Sequence, residues 1–157
     1  SWTKEDDNAE TLDHIAKLSV LVTKMRAVLP KQNKKYEGKP LVEDPTRIYM
    51  ALTGIVKSCA FIRGRTYISP DELSIAFRIA TDSVPSERAS VLNALIHNGG
   101  IITSKKYSNL EKVSNETTHN RFEQMIRLGV CEYENNSSKI NPLDKIVLKD
   151  EWLWLQY

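Results

Sequence analysis

The sequence predicts a mainly α-helical chain of two modules, a three-helix bundle followed by a helix-turn-helix with a small β-hairpin. Apolar residues recur at three- and four-residue steps over several separate stretches, the mark of one-faced helices. Those stretches are bounded by capping residues, prolines and glycines. The strand-like runs are short and gather near the C-terminus. Polar Thr81-Asp82-Ser83 and Pro85 interrupt the helical pattern, which sets the modules at about residues 8–83 and 84–157.

Asp7 or Asn8 followed by Glu10 opens the first helix, whose face of Leu12, Ile15, Leu18, Val22, Met25 and Leu29 runs until Pro30 stops it. Lys31 to Pro40 is polar, Lys-rich and without periodicity, and reads as a mobile loop. A phosphate-tracking arm is the sharper alternative. Asp44-Pro45-Thr46-Arg47 begins the second helix, with an N-cap acid and a proline where a missing N–H does no harm. Ile48, Leu52, Ile55, Val56, Cys59 and Ile62 are its expected buried face, and Gly64 its left-handed cap. Arg65 to Ile68 is short and extended. Ser69-Pro70-Asp71-Glu72 is a capping box, and the third helix that follows turns Leu73, Ala76, Ile79 and Ala80 inward.

In the second module, Ser86 to Asn98 forms a helix with Val91, Leu92, Leu95 and Ile96 on one side, stopped by Gly99-Gly100. Ile101 to Thr103 is a short strand and Ser104 to Lys112 a weak helix. Ser114 caps a stronger helix through Leu128, with Thr118, Phe122, Met125 and Ile126 inward, before a turn at Gly129. Val130–Tyr133 and Ile146–Lys149 read as strands joined through a polar tip at 134–138. Trp152-Leu-Trp-Leu155 is expected to fold back as core, with a partner-docking tail as the alternative.

Composition narrows the function. The 157 residues carry 22 basic and 20 acidic side chains, and cutting at Pro85 leaves the second module with 9 of each, so bulk charge does not point to a polyanion. No uncharged apolar run approaches the roughly 18–20 residues of a membrane span, so no membrane partner is expected. The start is too acidic and polar for a secretory leader, which makes the expected location cytoplasmic. Two distant cysteines, Cys59 and Cys131, suit a reducing compartment. There is no phosphate-cradling glycine loop, no dinucleotide turn, no nucleophile elbow and no zinc-protease helix. His14, His97 and His119 are scattered without ligand-spaced neighbours. Hence no catalytic residue, metal site or cofactor is expected in this chain, and it is not expected to be an enzyme.

The run Asp44-Pro-Thr-Arg-Ile-Tyr-Met-Ala-Leu, continuing through Ala60-Phe-Ile-Arg-Gly-Arg-Thr-Tyr-Ile-Ser-Pro-Asp-Glu-Leu73, resembles the C-terminal lid of AAA+ ATPases of the MoxR, magnesium-chelatase and minichromosome-maintenance groups. The resemblance covers about 30 residues through Arg47, Gly64-Arg65 and Ser69–Glu72. It implies that Arg47 is the sensor-2 arginine, reaching the terminal phosphates of ATP and magnesium held by a P-loop core of the same polypeptide. That core is absent from the sequence, so the chain is expected to be the C-terminal part of a longer ATPase. A contact between Asp44 and Arg47 across one turn is the structural alternative.

Residues 86–149 resemble a winged helix, with Val113 to Thr118 at the turn and the start of the recognition helix. If such a module binds duplex DNA, the resemblance places Asn115, Thr117, Asn120 and Arg121 on the exposed helix face, Lys105 and Lys106 before it, and Lys139 and Lys145 on the wing. Glu116 on that face opposes phosphate, and winged helices also dock proteins. Two other functions stay open: a stand-alone transcription regulator whose helical module dimerises two winged helices, and a docking module without affinity for nucleic acid.

Overall fold

The computed structural model describes Trp2 and residues 4–32, 35–134 and 144–156. The chain is mainly helical with a small antiparallel sheet. It divides into two compact units, one made of Ser1–Arg26 and Val42–Val84, the other of Ala27–Leu41 and Pro85–Tyr157. Segment 27–41, of which the sequence assigned 27–29 to the end of the first helix and 31–40 to a loop within the first module, thus belongs with the second unit.

In the first unit, α1 (Ala9–Arg26), α2 (Thr46–Ile62) and α3 (Leu73–Asp82) each pack on the other two. Asn8 caps α1, its Oδ1 accepting from the Thr11 N–H at 2.8 Å and the Thr11 hydroxyl at 2.7 Å. The helix ends at Arg26 rather than Leu29. Val28 instead exchanges hydrogen bonds with Leu41, so Leu29 lies beyond the last turn. At the end of α2, Gly64 takes φ +79°, which a side chain would resist. Its N–H donates to Phe61 O and that of Arg65 to Ala60 O, a Schellman cap. Along α2, Leu52, Val56 and Ala60 are buried, but Ile62 is 83% exposed and Ile55 lies at the surface. Spacing thus found Leu52 and Val56 but drew the buried face too wide, because this helix is apolar on more than one side.

The polar centre of this unit is Glu72, which has no solvent exposure. Its Oε2 accepts from the Ser69 N–H at 3.0 Å and the Ser69 hydroxyl at 2.9 Å, completing the expected capping box. Its Oε1 accepts from Arg63 Nη1 at 3.1 Å and from Arg65 Nη2. The carboxylate therefore ties the start of α3 to the cap of α2. Burial pushes its pKa up, but the Ser69 donors and the Arg65 guanidinium outweigh that and hold it below the usual carboxylate range.

In the second unit, α4 (Ser86–His97), β3 (Ile101–Thr103), α5 (Ser104–Glu111), α6 (Asn115–Arg127), β4 (Cys131–Tyr133) and β5 (Lys145–Leu148) follow one another. The sheet is antiparallel, with β5 between β3 and β4. The buried residues of this unit include Leu92, Leu95, Ile102, Tyr107, Phe122, Met125 and Ile146, and the Tyr107 and Phe122 rings lie 5.3 Å apart. Ser114 caps α6 by accepting from the Thr117 N–H at 3.1 Å. The chain closes in a 3-10 helix, Asp150–Gln156; of the expected core tail Trp152 is buried, Trp154 and Leu155 are half-buried and Leu153 is exposed. That helix passes so near Gly100 (φ +82°) that a Cβ there would lie 2.5 Å from Gln156 Nε2. Most of the expected hairpin tip, residues 135–138, lies outside the described residues.

Segment 27–41 is not a loop. Two-residue strands β1 (Lys31–Gln32) and β2 (Lys35–Tyr36) pair antiparallel, Lys31 opposite Tyr36 and Gln32 opposite Lys35. The Val28–Leu41 bridge closes the base of this hairpin.

Glu72→Gln is expected to lower the unfolding free energy by about 1–3 kcal/mol, since bonds to a charged partner are lost in a buried site. The depressed pKa sets a sign as well. The contribution of Glu72 is complete above the unfolded carboxyl pKa, near 4.5, and is lost as pH falls through the lower native value. Urea unfolding between pH 7 and pH 3 should show that acid loss in the wild type and a flatter profile in the variant.

Candidate functional site

The first candidate surface is the head of α2. Asp44 accepts from the Thr46 N–H at 2.7 Å. The hydroxyl and N–H of Thr46 lower the Asp44 pKa, so the acid serves the helix start. Arg47, in the first helical turn, is exposed, and among the described residues no hydrogen bond or ion pair holds its guanidinium. The Asp44–Arg47 contact weighed from the sequence is not formed. Arg47 rims a groove of about 260 Å³ whose apolar wall includes Ala51, Leu52, Ile55 and Ile79. Arg26 and Glu43, 3.5 Å apart, stand on the same groove. Two guanidiniums and one carboxylate thus stand on a groove that runs along the flank of α2 from its first turn, and of the two cations Arg26 is the one already paired with the carboxylate.

The second surface is α6 with what flanks it. Asn115 and Asn120 are exposed, while Thr117 and Arg121 are half-buried. Arg121 Nη1 donates to Tyr107 Oη at 2.9 Å, and that phenol also bonds Ser90 Oγ at 2.8 Å, so the guanidinium leans toward the unit's own core. The Thr117 hydroxyl bonds Ser114 Oγ at 3.0 Å. Lys105 and Lys106 are exposed in the first turn of α5. Lys145 is paired with Glu134 at 2.7 Å. Lys139 lies outside the described residues. Of the expected contacts, Asn115, Thr117, Asn120 and Arg121 are brought together in the N-terminal half of one helix.

Sequence reasoning missed Tyr36. The residue is 8% exposed, and its hydroxyl donates to Asn120 Oδ1 at 2.7 Å. Lys31 Nζ lies 4.4 Å from the ring centroid and Arg127 Cζ 5.8 Å, so two cations use the π face. The bond to Oδ1 also fixes the Asn120 amide and leaves its Nδ2 to donate elsewhere. Arg88 secures the start of the segment, donating from Nη1 to Ala27 O at 2.9 Å and from Nε to Gln124 Oε1 at 3.0 Å. A lone aromatic inside a Lys-rich stretch was the one available signal. Between hairpin and α6 runs a groove of about 540 Å³ bordered by Lys31, Lys35 and Arg127 and by Glu37, Glu116 and Glu123.

Other chemistry is sparse. Cys131 is buried, and burial pushes its thiol far above the ordinary range, while Cys59 is partly exposed; both are unbridged. Among the described residues, no three His, Cys, Asp or Glu side chains are grouped so as to hold a metal ion, and no helix is long and apolar enough to cross a membrane. Comparison with family models, with curated proteins and with solved structures finds no match for this chain.

Tyr36→Phe removes one partly buried hydrogen bond and is expected to cost about 0.5–1.5 kcal/mol in urea unfolding. Tyr36→Ala also empties the ring's seat, and should cost about 3 kcal/mol or more. Equal melting of both variants with the wild type would contradict the seating of Tyr36 on α6.

Proposed function

We propose that this chain is an accessory part of an AAA+ ATPase, closing over nucleotide with its first unit and contacting duplex DNA or a partner protein with its second. The observation that carries the reading is Arg47. A cation in the first turn of a helix opposes the macrodipole at a cost of about 0.3–1 kcal/mol. Here no carboxylate relieves it among the described residues. Its position gains meaning if a phosphate group of ATP, held with magnesium by a P-loop core, sits between the guanidinium and the N–H groups of α2. The Gly64-Arg65 cap at the end of α2 and the Ser69–Glu72 box before α3 support this reading.

For the second unit, the helix, strand, helix, helix and two-strand order supports a winged helix, as does the central place of β5 in the antiparallel sheet. Asn115 and Asn120 would then meet base edges or phosphates.

One observation favours the reading in which the helical module dimerises. Met50 and Phe61 are 68% and 70% exposed on α2, and together with Gly54 and Ser58 they continue the face that Arg47 begins. Sedimentation velocity across concentration separates the two: a monomer leaves this face to an ATPase core, and a concentration-dependent dimer favours the regulator.

The gene that encodes this chain should continue upstream, in frame, into a P-loop domain. In that full-length protein Arg47→Ala is expected to slow ATP hydrolysis at least about tenfold, roughly 1.4 kcal/mol of transition-state stabilisation. In the present chain the same change should leave urea unfolding within about 0.5 kcal/mol of wild type, because the side chain is exposed. An unaltered ATPase rate, or an upstream region without a P-loop, defeats the lid reading.

A further inference from the structure

Cut from the sequence at residue 84, the module that carries α6 is neutral. The compact unit also owns Ala27–Leu41, which contributes Lys31, Lys34, Lys35 and Lys39 against the single acid Glu37. The unit therefore holds 13 basic and 10 acidic residues, a net +3, and the first unit is left with 9 and 10. The surplus comes from residues 27–41, whose paired strands β1 and β2 are seated against α6 through Tyr36.

Cross-strand partners share a face of a hairpin. Lys31 and Tyr36 form the pair turned to α6, with the Tyr36 hydroxyl on Asn120, so Gln32 and Lys35 start from the opposite face, and the long Lys35 side chain still reaches the border of the groove. Within the groove Lys31 faces the Tyr36 ring, and Arg127 is paired with Glu123 at 2.8 Å. Lys35 and Lys39 are exposed, and no hydrogen bond or ion pair engages either among the described residues. Glu37 and Glu116 also border the groove, so a polyanion gains little by entering it. Lys35 at the border of the groove and Lys39 beyond β2 thus carry ammonium groups that no hydrogen bond or ion pair engages among the described residues.

We propose that this hairpin is a second wing of a duplex-DNA surface, in which Lys35 and Lys39 contact backbone phosphates beside those met by the N-terminal half of α6. The proposal rests on the DNA reading of the second unit and adds to it a site on a segment that the sequence pattern assigned to the other module. Phosphate contacts of this kind fix register and supply affinity without reading sequence. Tyr36 is the positioning residue. It holds the strands against the helix, so the lysines approach the duplex with little freedom left to lose.

Fluorescence anisotropy of a labelled mixed-sequence duplex, titrated with this chain between about 50 and 200 mM salt, tests the proposal. The Lys35→Ala/Lys39→Ala double variant should bind at least about tenfold more weakly at the low-salt end, and its plot of log affinity against log salt should be shallower by about 2. The loss should be equal for unrelated duplex sequences, and an unchanged melting temperature shows that the fold is kept. If wild type binds and the double variant matches it in affinity and slope, the second wing is wrong while the α6 surface stands. Tighter binding by Tyr36→Ala would also overturn it, because the hairpin would then be masking α6. If wild type fails to bind even at low salt, and Lys105→Ala/Lys106→Ala changes nothing, the DNA reading itself falls and takes the second wing with it.

Discussion

One buried phenol decides how this chain is divided. Tyr36 lies in a segment of lysines and polar residues that would gain little by ordering on its own, since fixing each residue's backbone costs about 1–2 kcal/mol. Burying the ring against α6, lending its π face to Lys31 and Arg127, and donating its hydroxyl to Asn120 offset that cost. The bonds Arg88 makes to Ala27 and Gln124 secure the segment's start, and the Val28–Leu41 bridge closes its base. The chain consequently leaves the first unit at Arg26 and re-enters it at Val42. Without that anchor, residues 27–41 would be the solvated connection their composition suggests.

What could be read from the sequence was whatever local chemistry controls. Gly64 was legible because only a glycine adopts its φ of +79° cheaply, and Ser69–Glu72 because a capping box closes within four residues. Ser114 and the helix it starts were legible for the same reason. Tyr36 was not, since the residue that bonds its hydroxyl is 84 positions away and two-residue strands have no period to detect. Leu29 continued the spacing of α1 past the true end of the helix, which is set by a bridge to Leu41. On α2 the pattern was right about helix and about Leu52 and Val56, but it carried the buried face on to Ile55 and Ile62, which lie at the surface, and missed Ala60, which is buried.

The site residues divide in the same way. Arg47 could be placed at a helix start from the sequence, but that no carboxylate pairs with it among the described residues is a three-dimensional fact, depending on Asp44 turning to Thr46 and Glu43 to Arg26. Asn120 could be placed on an exposed helix face, but not its bond to a tyrosine from the other side of the apparent domain boundary. Arg121 was expected to face a duplex and instead gives one of its donors to Tyr107. The neutral charge of the second module was an artefact of cutting the chain in sequence order. Once residues 27–41 are counted with the unit that holds them, the balance moves to +3 and the excess has a location.

Hydrogen exchange of the backbone amides between Ala27 and Leu41 tests the seating of this segment most directly. Val28 and Leu41 donate to each other's carbonyls and Glu37 donates to Pro30 O at 2.9 Å, so these three amides should exchange far more slowly than an unstructured chain. Their protection should collapse in Tyr36→Ala, while amides in the middle of α2 keep theirs. Exchange of all three at unprotected rates in the wild type would contradict the account, returning 27–41 to the status of a loop and the second unit to zero net charge.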